Sequence, residues 1–349
     1  MTMKKLLTAA AATALLFSAQ PESAFASKTI DVASTFPKNL TFLGEGAENL
    51  SKLLSDVSDG ELNLKVYGAG ELVPALEVFN AVSTGAVPAG WDWIGYWAGT
   101  VPVTGLMGAM PFGPDPEVFL GWMWEGGGRE ILQKAYDPFN VEVFPCHLTA
   151  PEPGGWFNKE INTPADFEGL KMRISGLGGK VLNNLGASTQ LIPGGEIYVA
   201  LERGRIEATE FSLPVIDKSL GFADIAKYYY FPGWHQPASW NSLLINKDVY
   251  NEFTDLEKKQ LEVACMANIV WTMSVAPGAQ VPALEEFQKA GIEVKRFPPE
   301  VLAALEVESA NVLAQEAESD PIFKEAYESL LNYMETVEQW HGIQSLPRN

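Results

Sequence analysis

Apolar and polar residues alternate over residues 29–34, the two-residue period of a strand with one buried face. The period then lengthens. Leu43, Ala47, Leu50, Leu54 and Val57 fall on one side of a predicted helix, which Asp59-Gly60 closes. Leu62, Leu64 and Val66 alternate again as a second strand, and a second helix is predicted over about 74–83, ended by Gly85. Strand, helix, strand and helix in this order build a mostly parallel α/β sheet with crossover helices. After an aromatic, glycine-rich middle the pattern resumes, with strands predicted near 141–145, 155–158, 170–174 and 239–245 and helices between them. Thr163-Pro164 and Thr254 with Glu257 carry helix-start signals. From Thr254 to His341 the chain reads as helical, apart from one strand over 291–297. The stretch 299–340 is long and amphipathic, and it reads as packing across the body of the protein in preference to forming the arm of a homodimer.

The first residues follow a different logic. Lys4 and Lys5 precede an apolar run over 6–17 and the small-residue stop Ala24-Phe25-Ala26, a cleavable export signal removed after about Ala26. The run is shorter than the roughly 20 residues a spanning helix needs, so the expected location is the periplasm, with any membrane role exercised through a partner. Of 349 residues, 323 then remain, more than one core usually serves. Two lobes with a hinge and a central ligand cleft are expected: lobe I over 27–149 plus about 237–285, and lobe II over 150–236 plus about 286–315. A final helix over about 316–349 would pack across both.

The formal charge is −20, of which Lys4, Lys5 and Glu22 contribute +1, so the exported part carries −21. Such a surface repels nucleic acid and anionic lipid. An anionic ligand would need a positive group inside the cleft. Cys146, in a strand-like run, and Cys265, in a helical one, are expected as two buried free thiols, with a disulfide as the alternative in an oxidising compartment. HExxH, GxSxG and CxxC spacings are absent, and Gly176-Leu177-Gly178-Gly179-Lys180-Val181 lacks the spacing of a phosphate-binding loop. His147, His235 and His341 are too scattered to suggest a metal triad, and each reads as a packing or surface histidine.

Polar residues at strand ends are what remain. Arg173, in Lys-Met-Arg-Ile-Ser, can present its planar fork to a carboxylate, or pair with a neighbouring acid. Glu210 ends a short strand, where a glutamate is most often solvated.

Three motifs in register sharpen this reading: Gly154-Gly155-Trp156-Phe157-Asn158-Lys159-Glu160-Ile161, Asp166-Phe167-Glu168-Gly169-Leu170-Lys171-Met172-Arg173, and Ala200-Leu201-Glu202-Arg203-Gly204 followed by Glu210-Phe211. Together they resemble the solute-binding subunits of tripartite ATP-independent periplasmic (TRAP) transporters. Gly126-Gly127-Gly128 and Phe231-Pro232-Gly233-Trp234-His235 resemble the branch that binds 2-oxo and 2-hydroxy monocarboxylates together with a cation. The resemblance implies that Arg173 grips the ligand carboxylate between two lobes and that Tyr96 offers a hydroxyl from the opposite wall. It also implies that a calcium or sodium ion is held by Glu152, by Glu210 with the Phe211 carbonyl, and by Gln236. In that pattern a glutamine usually stands at the first of these places and a glutamate at the last, so the two are exchanged here. All the side-chain donors then remain hard oxygens. Two glutamates, one arginine and a monoanionic acid sum to −2, which a divalent ion neutralises, so calcium is favoured over sodium. Pro151 and Pro153 flank Glu152 and threaten to tilt its carboxylate away. Trp91, Asp92 and Trp93 stand where smaller residues are expected, which would restrict the pocket to short acids. The implied partners are a large and a small integral membrane subunit, and no bond is made or broken. A metal-free TRAP receptor, an ABC-type binding protein and a secreted metal-dependent enzyme acting on oxo acids stand as alternatives.

Overall fold

In the computed structural model, which describes residues 27–344, the opening alternation becomes β1 (Lys28–Ser34) and β2 (Leu62–Tyr67), with Leu62, Leu64 and Val66 buried. The export signal expected over 1–26 lies outside the described residues. Between these strands the helix Leu43–Val57 buries Leu43, Ala47, Leu50 and Leu54, while Val57 in its last turn is exposed. The helix expected over 74–83 is shorter. Leu76 is non-helical, so a 3₁₀ turn Ala75–Glu77 leads into a helix over Val78–Ser83.

The remaining strands are β3 (Ala89–Trp93), β4 (Val141–Thr149), β5 (Gly155–Phe157), β6 (Lys171–Arg173), β7 (Ser188–Gln190), β8 (Ala208–Thr209), β9 (Tyr228–Phe231), β10 (Ser239–Asn246) and β11 (Glu293–Arg296). They form two sheets, ordered β2-β1-β3-β10-β4 and β11-β9-β5-β8-β6-β7. In the first, β1 is parallel to both neighbours and β10 antiparallel to both of its own. Every residue of β3 and β10 is buried, as strands covered on both faces require. The chain leaves the first sheet after β4 and returns to it at β10. The two crossings, 150–154 and 232–238, therefore run side by side, and Glu152 N–H donates to Gln236 O at 3.2 Å. Gly233 allows this approach, since a Cβ there would lie 2.1 Å from Glu152 O.

The helical stretch expected over 299–340 is two helices, Pro299–Ser319 and Pro321–Gln344, because Asp320 precedes a proline and takes extended backbone angles. The first packs beside the helix Gly176–Asn184 that follows β6, and the second against three helices that flank the first sheet. A longer helix, Asp255–Lys289, is capped by Thr254 and Glu257 as its sequence suggests. It lies on β4 and the Leu43–Val57 helix near its start and reaches β11 near its end. Among the described residues no helix is long and apolar enough to cross a membrane.

The expectation of two free thiols is corrected: Cys146 and Cys265 are joined in a disulfide, with Cα atoms 4.2 Å apart. β4 lies directly under the long helix, where Asn268 Nδ2 donates to Cys146 O at 2.9 Å and Thr272 Oγ1 to Leu148 O at 3.1 Å. That packing brings together two residues 119 positions apart.

Candidate functional site

Four strand ends of the second sheet and its connections meet where the two crossings pass. β6 ends in Arg173, β8 leads into Glu210, Phe211 and Ser212, the first crossing carries Glu152, and the second carries His235 and Gln236. All of them are buried. Arg173 is 1 % exposed and fixed on two of its nitrogens: Nε donates to Ile192 O at 3.1 Å, and Nη1 to Glu210 O at 2.7 Å and to Glu210 Oε1 at 2.6 Å. Its guanidinium also sits 5.2 Å from the centre of the Phe211 ring. Both readings of Arg173 therefore meet in one residue. It pairs with a neighbouring acid, and these bonds leave its Nη2 edge uncommitted.

Glu210 is not solvated. Oε1 accepts from Arg173 and from the Ser175 N–H at 2.8 Å, while Oε2 has no hydrogen-bond partner and lies 3.5 Å from His235 Nε2. Burial opposes its charge, but Arg173, His235 and the Ser175 amide outweigh it and hold the carboxyl below its ordinary value. Glu152 is not tilted away by its prolines either. Ser212 Oγ donates to its Oε1 at 2.9 Å, and its Oε2 is buried without a partner. Burial and the neighbouring Glu210 push its carboxyl well above the ordinary range against the Ser212 hydrogen bond. Beneath it, Asp217 accepts from Trp156 Nε1, Tyr229 OH and Ser212 N–H, at 2.8, 2.8 and 3.1 Å. Burial still pushes Asp217 up to about 8.

One ligand atom from each of Glu152, Glu210 and His235 lies within 4.8 Å of the other two. Oxygens on opposite sides of a calcium ion are separated by about this distance, given Ca–O bonds of about 2.3–2.6 Å. The unpartnered buried carboxylate oxygens thus fit a cation, which would allow both glutamates to carry charge. His235, read from the sequence as a packing or surface histidine, is buried against Trp234, and its imidazole stands with the two glutamates. Its position one residue before Gln236 was the available signal. His147 packs against Trp91, and His341 lies near the end of the last helix, apart from the site.

Glu152, Ser175 and Ser212 line one side of a cavity, with Arg173, Glu210 and His235 packed behind that wall, and its other side is formed by Trp93, Tyr96, Thr149 and Asn241 from the first sheet. Gln236 and Phe211 line it as well. Tyr96 follows β3 in a 3₁₀ turn, and burial pushes its hydroxyl up to about 12 although Arg173 opposes the shift. Of the three large residues at 91–93 only Trp93 reaches the cavity. Trp91 leaves β3 on the same face, and its Nε1 donates to Leu43 O at 2.8 Å. Asp92 is fully buried on the opposite face of β3, accepting from Trp97 Nε1 through Oδ2 with Oδ1 unpartnered, and burial pushes its carboxyl up to about 7. Trp234 and Trp240 belong to the core. A wider, more open groove beside the Pro321–Gln344 helix gathers no such unpartnered buried groups.

Residues 33–320 match the family described as bacterial extracellular solute-binding protein, family 7. A monocarboxylate 2-oxoacid-binding periplasmic protein of Nostoc is 34% identical over 316 residues, covering 90% of this chain and 86% of that one. Two solved TRAP solute-binding proteins share the fold. One from Bordetella bronchiseptica, a dimer with calcium and picolinate bound, is 30% identical with a TM-score of 0.89, covering 91% of this chain and 95% of that chain. The other, from Pseudoalteromonas atlantica with sodium and pyruvate, is 32% identical with a TM-score of 0.87, covering 91% and 97%.

Proposed function

The chain belongs to bacterial extracellular solute-binding protein family 7, and from that membership we propose that it captures a short 2-oxo or 2-hydroxy carboxylic acid together with a cation, as the exported receptor of a TRAP transporter. The carrying observation is the pair of buried, unpartnered carboxylate oxygens, Glu152 Oε2 and Glu210 Oε2, with Glu210 paired to Arg173, next to a cavity between two sheets that Glu152 lines. In this reading Arg173 gives the ligand carboxylate its Nη2 edge, and Tyr96 adds a hydroxyl. A calcium or sodium ion, as in the two solved relatives, would supply the positive charge that draws the acid's oxygens to this wall. Glu152, Glu210, the Phe211 carbonyl and Gln236 would hold it, with His235 beside them. Asp217 and Ser212 hold Glu152 in place. Burial removes competing water from every one of these contacts.

The receptor then passes the acid, unchanged, to separate membrane subunits. The segment over 27–149 and about 237–285 forms one closing lobe, and 150–236 with about 286–315 the other. Calorimetric titration of residues 27–349 with short 2-oxo and 2-hydroxy acids tests the proposal, before and after chelation and with calcium or sodium restored. Tight binding that vanishes with the cation is expected. Binding indifferent to cations would remove Glu152 and Gln236 from the site, and turnover of the acid would replace the receptor by an enzyme.

One further observation favours a homodimer, the state in which the Bordetella relative was crystallised. Val263, Met266 and Val270 form an exposed apolar stripe along the Asp255–Lys289 helix, next to Leu120 and Trp124. A second copy presenting the same stripe would cover it. Light scattering should give twice the chain mass, and a Val270→Asp variant the mass of one chain; a monomeric native protein would dismiss the dimer.

A further inference from the structure

Unsatisfied groups also stand on the wall opposite the carboxylates. Trp93 ends β3 directly across from Asn241 on β10, so the two side chains leave the sheet on one face. Both line the cavity. Trp93 Nε1, which can only donate, is buried with no acceptor, and Asn241 Oδ1 beside it has no partner. Buried donors are nearly always paired, so one left open in a binding cavity marks where a ligand oxygen belongs.

The rest of the indole explains why Nε1 faces that way. Its benzo edge fills a slot that three glycines leave open. An added Cβ would lie 2.1 Å from the ring at Gly95, 3.2 Å at Gly108 and 3.1 Å at Gly176. Gly95 and Gly108 belong to the Trp93 side of the cleft, whereas Gly176 begins the helix after β6 on the other side, so the ring reaches across. Tyr96 packs edge-on at 5.1 Å and holds it there. Gly95, Tyr96 and Gly176 also line a second, more open hollow. Tyr96 lines both spaces, and the Trp93 ring, packed against Gly95 and Gly176, completes the partition between that hollow and the binding cavity.

Taking the cavity as the acid-binding site proposed above, we infer that Trp93 is its end wall and its neutral donor. The indole N–H donates to an oxygen of the bound acid, and the ring stops the carbon chain, so three-carbon acids are selected over longer ones. This assigns acid length to one indole on the first sheet, separate from the groups that hold the charge.

The test is calorimetric titration of the full chain with straight-chain 2-oxo monocarboxylates of three to six carbons, in calcium, for the native protein, Trp93→Phe and Trp93→Ala. Phenylalanine keeps the partition and loses the donor. It should bind every acid about tenfold more weakly while keeping the native order of lengths and the native cation dependence. Alanine opens the partition and should shift the ratio of five-carbon to three-carbon affinity by about tenfold or more toward the longer acid. A phenylalanine variant that binds as tightly as the native protein overturns the donor. An alanine variant that keeps the native order of lengths overturns the wall. Native protein that binds none of these acids, with or without cation, overturns the acid-binding reading itself, and that result appears before any variant is compared.

Discussion

On one wall of the cleft Arg173, Glu210, Glu152 and His235 gather at strand ends of the second sheet; on the other, Trp93, Tyr96, Thr149 and Asn241 present rings and neutral dipoles from the first. The charged wall is crowded because burying a charge is tolerable only with partners, and each charge fixes the next. Arg173 holds Glu210, and Asp217 holds Ser212, which holds Glu152. The neutral wall has no such chain of obligations, so a change of shape there carries no electrostatic penalty. On the proposed reading, the charges that hold the acid come from the second sheet alone, while the first adds neutral donors and the limit on length.

The contrast is broken most severely at Arg173. Its replacement by Ala leaves Glu210 buried without its counter-charge, so stability should fall by about 3–5 kcal/mol and acid binding should be lost. Because such a variant can fail to fold, Arg173→Lys is the sharper probe: it should fold, yet bind acid about a hundredfold more weakly for want of the planar fork. Lysine with native affinity would show that the charged wall needs only charge. Next in size is the staple behind the neutral wall. Reduction of Cys146–Cys265, followed by denaturant unfolding, should cost about 2–4 kcal/mol. An unchanged unfolding midpoint would mean that the packing of β4 under the long helix suffices alone.

The smallest effect is read through pH in the first sheet. Asp92, in the core of the first, has its carboxyl raised from 3.8 to about 7 by burial, while Trp97 donates to it and Tyr136 and Ser242 face it without hydrogen bonds of their own. The folded state holds this proton more tightly than the unfolded chain. The group's stabilisation is therefore complete below about pH 4 and is lost as pH rises through about 7. Asp92→Asn cannot titrate, so its melting temperature should fall less than the native value between pH 5 and pH 8 and exceed it at pH 8 by about 2–4 °C. Parallel curves for the two proteins would show that Asp92 does not titrate between pH 5 and pH 8.

Much of the first sheet was legible because its strands alternate and its helices keep a clear apolar side, both local signals. Arg173 was legible from its place at a strand end, and Glu152, Glu210, Phe211 and Gln236 only through family motifs. His235 reads as a packing residue because its place before Gln236 hints at the site without showing that the fold brings it to two glutamates carried by distant segments. The Cys146–Cys265 bond was missed for the same reason, since the pairing depends on how a helix lies over a strand. Glu152 was suspected of pointing outward because flanking prolines are visible in a sequence and Ser212, 60 positions away, is not.

The helix Asp255–Lys289 runs for 35 residues, about 50 Å at 1.5 Å per residue. Up to Thr272 its hydrogen bonds go to the first sheet; from Gln280 onward its contacts are with Val215, Lys218 and Trp156 around the second. Pro277 and Pro282 fall at or just beyond the span where it passes between them, and each deprives the helix of one backbone hydrogen bond. In mechanical terms the two sheets are plates riveted to a common beam, and the beam has lost two of its own hydrogen bonds where it passes from one plate to the other. Were the plates to part, that is where the beam would bend most easily, away from the residues proposed to hold the acid.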